Sequence, residues 1–96
     1  MTGAEGFARD YRVGFLSHLA RRSEASLNRG YELGRAAVTG GLGILEVARV
    51  HHEVLLDVLR GTPAGELADV AGAASEFLSE VLATSDMAQR TLLHPR

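Results

Sequence analysis

The sequence predicts an all-α protein, an antiparallel four-helix bundle, and three observations carry that prediction. Apolar residues recur at three- and four-residue spacing in four separate stretches, the signature of helices with one buried face. The stretches are joined by short segments rich in turn-forming residues: Arg21-Arg22-Ser23-Glu24, Gly40-Gly41-Leu42-Gly43 and Gly61-Thr62-Pro63-Ala64-Gly65. No run alternates apolar and polar residues with the period of a strand, and no internal repeat or low-complexity segment is present. Short turns fold each helix back on the one before. A single domain over residues 1–96 is expected, with helices over roughly 3–20, 24–39, 44–60 and 63–92.

The first helix is expected to start at Thr2, with Glu5 in capping-box position. Phe7, Tyr11, Phe15 and Leu19 form its buried stripe with Leu16 beside it, while Arg9, Asp10 and Arg12 point away. Ser23 is a good N-cap for the second helix, with Glu24 just inside it. That helix carries Leu27, Tyr31, Gly34 and Val38 on one line. Glycine inside a helix costs about 0.5–1 kcal/mol relative to alanine. Gly30 and Gly34, continued by Ala37, therefore point to a close helix–helix approach. Gly40-Gly41 ends the helix.

The third helix has a narrow polar line, Glu46, Arg49, Glu53, Asp57 and Arg60, and is otherwise almost wholly apolar. A small chain can hardly bury such a helix alone. Thr62 is the expected N-cap of the fourth helix, with Pro63 at its first position and Gly72 as a possible kink. Leu67, Val70, Ala71, Ala74, Phe77, Leu78, Val81 and Ala88 share one face there, while Leu82 and Met87 lie off it. An apolar arc that wide has two edges. One is expected to serve its own bundle and the other a second chain, giving a homodimer through helices three and four.

Composition excludes several classes. Cysteine is absent, so disulfides and thiolate metal sites are ruled out. The formal charge of -2 with interspersed signs offers no basic patch for nucleic acid. No apolar run approaches the ~20 residues of a membrane span, and no charged segment followed by an apolar one opens the chain. A soluble cytoplasmic protein that binds neither membrane nor nucleic acid is expected.

Histidines are the only evident candidates for ligands or bases. His51 and His52 are adjacent, point about 100° apart on a helix, and cannot hold one metal from one face. His51 shares the arc of Val47, Val54 and Val58, and reads as a core histidine bonded to a neighbour such as Tyr31. His18 and His94 read as surface residues. Glu76 and Glu80 lie one turn apart, but no nucleophile motif accompanies them; an interhelical ion pair of Glu80 with Arg35 is expected. Gly40-Gly41-Leu42-Gly43 lacks the strand and the lysine of a phosphate loop. No catalytic residue, cofactor or metal is assigned, and the chain reads as a non-enzyme.

One further pattern connects these motifs. Tyr31-Glu32-Leu33-Gly34-Arg35 is followed by Gly41-Leu42-Gly43-Ile44-Leu45, then Val50-His51-His52-Glu53, Ala74-Ser75-Glu76-Phe77-Leu78-Ser79-Glu80-Val81-Leu82 and Met87-Ala88-Gln89-Arg90. In order and spacing these resemble the N-terminal domain of RsbU-type serine phosphatases, regulators in bacterial partner-switching stress-response pathways. The resemblance takes in Tyr11 and Phe15 and covers nearly the whole chain. It implies a four-helix domain that dimerises and receives a switch kinase of the RsbT type. Kinase binding would stimulate a metal-dependent phosphatase domain, which dephosphorylates an anti-sigma-factor antagonist. No phosphatase domain lies within these residues, so the chain is expected to be either a piece of a longer regulator or a stand-alone module.

Tyr31, Gly34, Arg35, His51, Phe77, Glu80 and Met87 match the family pattern and read as architecture. The resemblance places the kinase-facing surface on the second and fourth helices, at Asn28, Ser79 and Ala83, with Asp86 on the same face. Bulky anchors are expected of a strong kinase binder, and this sequence has small or polar residues there. Two rivals stand beside this reading: a small-ligand, haem or metal sensor using His51 and His52, and a purely structural adaptor.

Overall fold

The computed structural model describes the backbone of residues 3–93 and the side-chain surroundings of residues 5–90. Among these residues are α1 (Gly3–Arg21), α2 (Glu24–Thr39), α3 (Ile44–Arg60) and α4 (Leu67–Leu93), with a 3-10 turn at Ala64–Glu66. The cap expected at Thr2 and the surface position expected for His94 lie outside the described residues. No strand occurs among those described.

The turns follow from local chemistry. At the α1–α2 corner the Oγ of Ser23 accepts the N–H of Ser26 at 3.1 Å, and the Oγ of Ser26 accepts the N–H of Ser23 at 3.1 Å. This is a reciprocal capping box built with serine in place of the usual glutamate or glutamine. Gly40 caps α2 and Gly41 follows at φ 79°, a left-handed conformation that favours glycine. The third turn departs from expectation. The Oγ1 of Thr62 donates back to the carbonyl of Val58 at 2.7 Å, so it closes α3 and does not cap α4. Pro63 precedes the 3-10 turn, and α4 begins only at Leu67. Helix α4 runs through Gly72 without a break.

The most extensive helix–helix contact joins α2 to α4, which are not neighbours in sequence. Gly30 faces Phe77 and Gly34 faces the backbone of Val81, so the two helices run side by side in the same direction. A Cβ on Gly34 would stand 2.0 Å from the carbonyl oxygen of Val81. No side chain fits there, and the close approach read from the Gly30–Gly34 spacing is realised against α4. The buried face of α2 is Ser26, Gly30, Leu33, Gly34 and Ala37. Leu27 and Tyr31 are only half-buried and Val38 is exposed, because the helix turns its glycines rather than its large side chains toward α4.

Phe77 is the centre of the core, with no exposed surface. Tyr11 meets it edge-on with ring centroids 5.3 Å apart, and Phe15 is tilted against it at 6.2 Å. Phe7, Leu33, Ala37, Val47, Val50, Val54, Val70, Ala73, Ala74 and Val81 complete the cluster. Full burial of one such side chain contributes roughly 1.5–3 kcal/mol. On α4 the buried face is rotated from the expected one: Ala73 lies inside, and Leu67 and Ala71 lie outside. Leu16, beside the α1 stripe, is exposed.

Candidate functional site

Two polar contacts in the core set the relative positions of the helices, and the sequence located neither correctly. His18 is 1 % exposed, not a surface residue. It falls three residues after Phe15 and seven after Tyr11, so the period that buries the aromatic stripe buries it too. That spacing was the available signal. Its ring stacks on Phe77 with centroids 6.0 Å apart. Its Nδ1 lies 2.7 Å from Ser26 Oγ and its Nε2 lies 2.9 Å from Glu76 Oε1. Arg22 holds the same carboxylate through Nε at 3.1 Å and Nη2 at 2.9 Å, and reaches Asp69 through Nη1 at 3.1 Å. The hydrogen bonds from Arg22 and then from His18 hold the Glu76 carboxyl below its ordinary value. Arg22 itself adopts φ 48°, a left-handed conformation uncommon for a non-glycine residue, at the corner from which its fork reaches α4.

Ser26, His18 and Glu76 have the connectivity of a hydrolytic relay, but the arrangement is structural. The Ser26 hydroxyl is 5 % exposed, donates to the Ser23 carbonyl at 2.8 Å, and closes the helix cap. A nucleophile must reach a reacting carbonyl or phosphoryl group, and this one is spent inside the turn.

The second contact ties α1 to α3. The Tyr11 hydroxyl lies 2.8 Å from His51 Nδ1. The partner of His51 is thus Tyr11 and not Tyr31, whose ring stands on the half-exposed edge of α2. Burial, and then the charge of His52, push the His51 pKa down, while burial pushes the Tyr11 phenol up. A neutral imidazole with Nδ1 accepting from the phenol satisfies both groups. His52 is exposed. The pair therefore offers one occupied nitrogen and a ring on a different face.

Of the residues expected at a docking surface, Ser79, Ala83 and Asp86 line one shallow hollow on the outer side of α4, together with Leu82 and Ile44 from the start of α3. Asn28 does not line it. Its side-chain amide bonds Glu32 at 3.3 Å on an exposed part of α2. Asp86 pairs with Arg90 at 3.0 Å. The expected Glu80–Arg35 ion pair is absent among the described residues: Arg35 is exposed, and the half-buried Glu80 sits instead against Gly30, where a Cβ would meet its Cβ at 3.3 Å. The carboxylate that does bridge helices is Glu76, one turn earlier. Met87 is largely exposed.

Beside the hollow, α3 shows an apolar strip to solvent. Leu45 is 80 % exposed, and Ile44 and Leu56 are exposed with it, with the exposed Arg49 and His52 between Leu45 and Leu56. Only Val47, Val50 and Val54 of this helix are buried.

Residues 9–88 match the family model described as "Phosphoserine phosphatase RsbU, N-terminal domain". No curated protein and no solved structure gives a significant match.

Proposed function

Since the chain belongs to the RsbU N-terminal domain family, we propose that it is a non-catalytic docking and dimerisation module that binds an RsbT-type switch kinase in a cytoplasmic partner-switching system. The observation that carries the reading is the hollow of Ser79, Leu82, Ala83, Asp86 and Ile44. It gathers three of the four expected contact residues at one place on α4. The small or polar Ser79, Ala83 and Asp86 between Leu82 and Ile44 favour a partner that brings the bulky anchor itself, since buried large side chains dominate interface energy whichever chain supplies them.

In this reading the antiparallel bundle pairs with a second copy through α3 and α4, covering the exposed Leu45 and Leu56. Kinase docking across the pair shifts the packing of α4, which passes the shift onward to a phosphatase domain, attached or separate. Large apolar side chains left in water are what an interface covers when its partner arrives.

The test is titration of the purified kinase against the protein, wild type and Ala83→Arg. A bulky cation in the hollow is expected to weaken binding at least tenfold with the far-UV circular dichroism spectrum unchanged. Undiminished affinity would remove the hollow from the interface. A monomeric mass at micromolar concentration would remove the dimer. Joining the two α4 ends by a disulfide, with phosphatase output unaffected, would remove the transmission step.

A further inference from the structure

We infer that the groove between α1 and the first turns of α2 is a second docking surface, one that takes an acidic amphipathic segment of a partner protein. Val13, Gly14, Ser17 and Arg21 from α1 and Ala25 and Arg29 from α2 line it together with the capping serines of the α1–α2 corner, and no carboxylate lines it. It is separate from the hollow on α4 and from the apolar strip on α3.

Charge is the first argument. Elsewhere Arg12 pairs with Asp57, Arg22 with Asp69 and Glu76, Arg49 with Glu46, and Arg90 with Asp86. Arg21 and Arg29, like Arg9, Arg35 and Arg60, have no ion-pair partner among the described residues, but these two border one groove whose lining holds no carboxylate, on a chain whose formal charge is -2. Two cations beside one concavity with no anion between them complement a ligand that brings carboxylates. The stem of Arg29 packs near Gly14, where a Cβ would stand 3.5 Å from its Cγ. The methylenes thus cover the wall while the guanidinium stays at the rim.

The apolar content is the second argument. Val13 is 54 % exposed, a large side chain on the wall of a concave, otherwise small-residue floor. A segment with leucine on one face and glutamate on its flanks fits both features, in the manner of a helix laid in a groove. An anionic membrane fits less well. A flat bilayer touches the ridges of two helices and leaves a floor of Gly14 and Ala25 uncovered.

The test uses amide chemical-shift mapping on the protein with a synthetic helical peptide bearing leucines on one face and glutamates on the other, beside its glutamine counterpart. Shifts are expected at Val13, Ser17 and Ala25, with binding at least tenfold weaker for the glutamine peptide and for Arg21→Glu/Arg29→Glu. Arg21→Gln/Arg29→Gln should give an intermediate loss; both positions are exposed, so both variants are expected to fold. The proposal is overturned by equal binding of the two peptides, by undiminished binding to the reversed variant, by shifts confined to α3 or the outer side of α4, or by no shift at millimolar peptide. Sedimentation with phosphatidylserine vesicles that depends on both arginines, in the absence of peptide binding, assigns the groove to lipid and overturns it as well.

Discussion

The seam between α2 and α4 and the outer strip of α3 show how differently similar apolar sequence can be used. At the seam Gly30, Gly34 and Ala37 bring two helices so close that Gly34 faces the carbonyl of Val81 directly. On α3 larger side chains at equally regular spacing leave Leu45 almost entirely in water. Hydrophobicity alone would rank α3 as the better buried helix, and the structure reverses that order. Close approach depends on the absence of side chains and on dispersion between backbones, whereas a row of leucines needs a surface deep enough to receive it.

The comparison can be broken most severely at its tightest point. Gly34→Ala is expected to destabilise the protein by about 3 kcal/mol or more, because overpacking against a backbone carbonyl cannot be relieved by rotating a side chain. Gly30→Ala meets only Phe77 and Glu80 side-chain atoms, at 3.1 and 3.3 Å. It should cost about 1 kcal/mol, partly offset by the helix preference for alanine. Urea denaturation of both variants tests the ranking, and equal losses would show that the seam is not backbone-limited.

Next in size is the strut that attaches α3 to the seam side of the molecule. Tyr11→Phe removes the hydroxyl from His51 and leaves a half-buried ring nitrogen without its donor. A loss of about 1–2 kcal/mol is expected in the same urea experiment. A change under a few tenths of a kcal/mol would mean that water replaces the phenol.

The same strut predicts a pH dependence. The His51 value is depressed below the ordinary 6.5, so the folded state favours the neutral ring. Its stabilising contribution is fully present above that ordinary value and is lost as pH falls through the lower folded-state value. The melting temperature is therefore expected to drop between about pH 7 and pH 5, with a shallower slope in His51→Gln. The depressed Glu76 carboxyl acts in the same direction but in a lower window, below its ordinary value of 4.5. Equal slopes for wild type and His51→Gln between pH 7 and pH 5 would break the assignment.

The smallest effect on stability is expected at the strip itself. Leu45→Asn should change the unfolding free energy by no more than about 0.5 kcal/mol, as for exposed positions generally. Its readout is the solution mass measured by light scattering, which should move toward the monomer. An unchanged dimer would place the second copy elsewhere.

Much of this architecture is legible in the chain. Periodic apolar residues marked four helices. Ser23 and Gly40-Gly41 marked turns by requirements that are local: a side-chain oxygen for free N–H groups, and a left-handed residue after a helix end. The glycine spacing on α2 announced a close approach, because a helix carries two glycines at a cost that packing must offset. The proposed docking residues were reached only through motif resemblance. Ser79, Ala83 and Asp86 lie at helical spacing on α4, and only the start of α3 turns that line into a hollow.

What the sequence determined by itself was therefore whatever depends on neighbours within a turn or two: four helices, the caps at Ser23 and Gly40, the aromatic stripe from Phe7 to Phe15, and the family. Tertiary structure alone decided which edge of each apolar arc turned inward. It buried His18 between Ser26 and Glu76, gave His51 to Tyr11, and directed Arg22 rather than Arg35 to a carboxylate on α4. The physical reason is that helical periodicity fixes angles around one axis, while the partner of a side chain depends on how several axes are rotated and spaced together. Here one glycine at position 34 helps set that spacing, since it lets α2 and α4 meet at backbone distance.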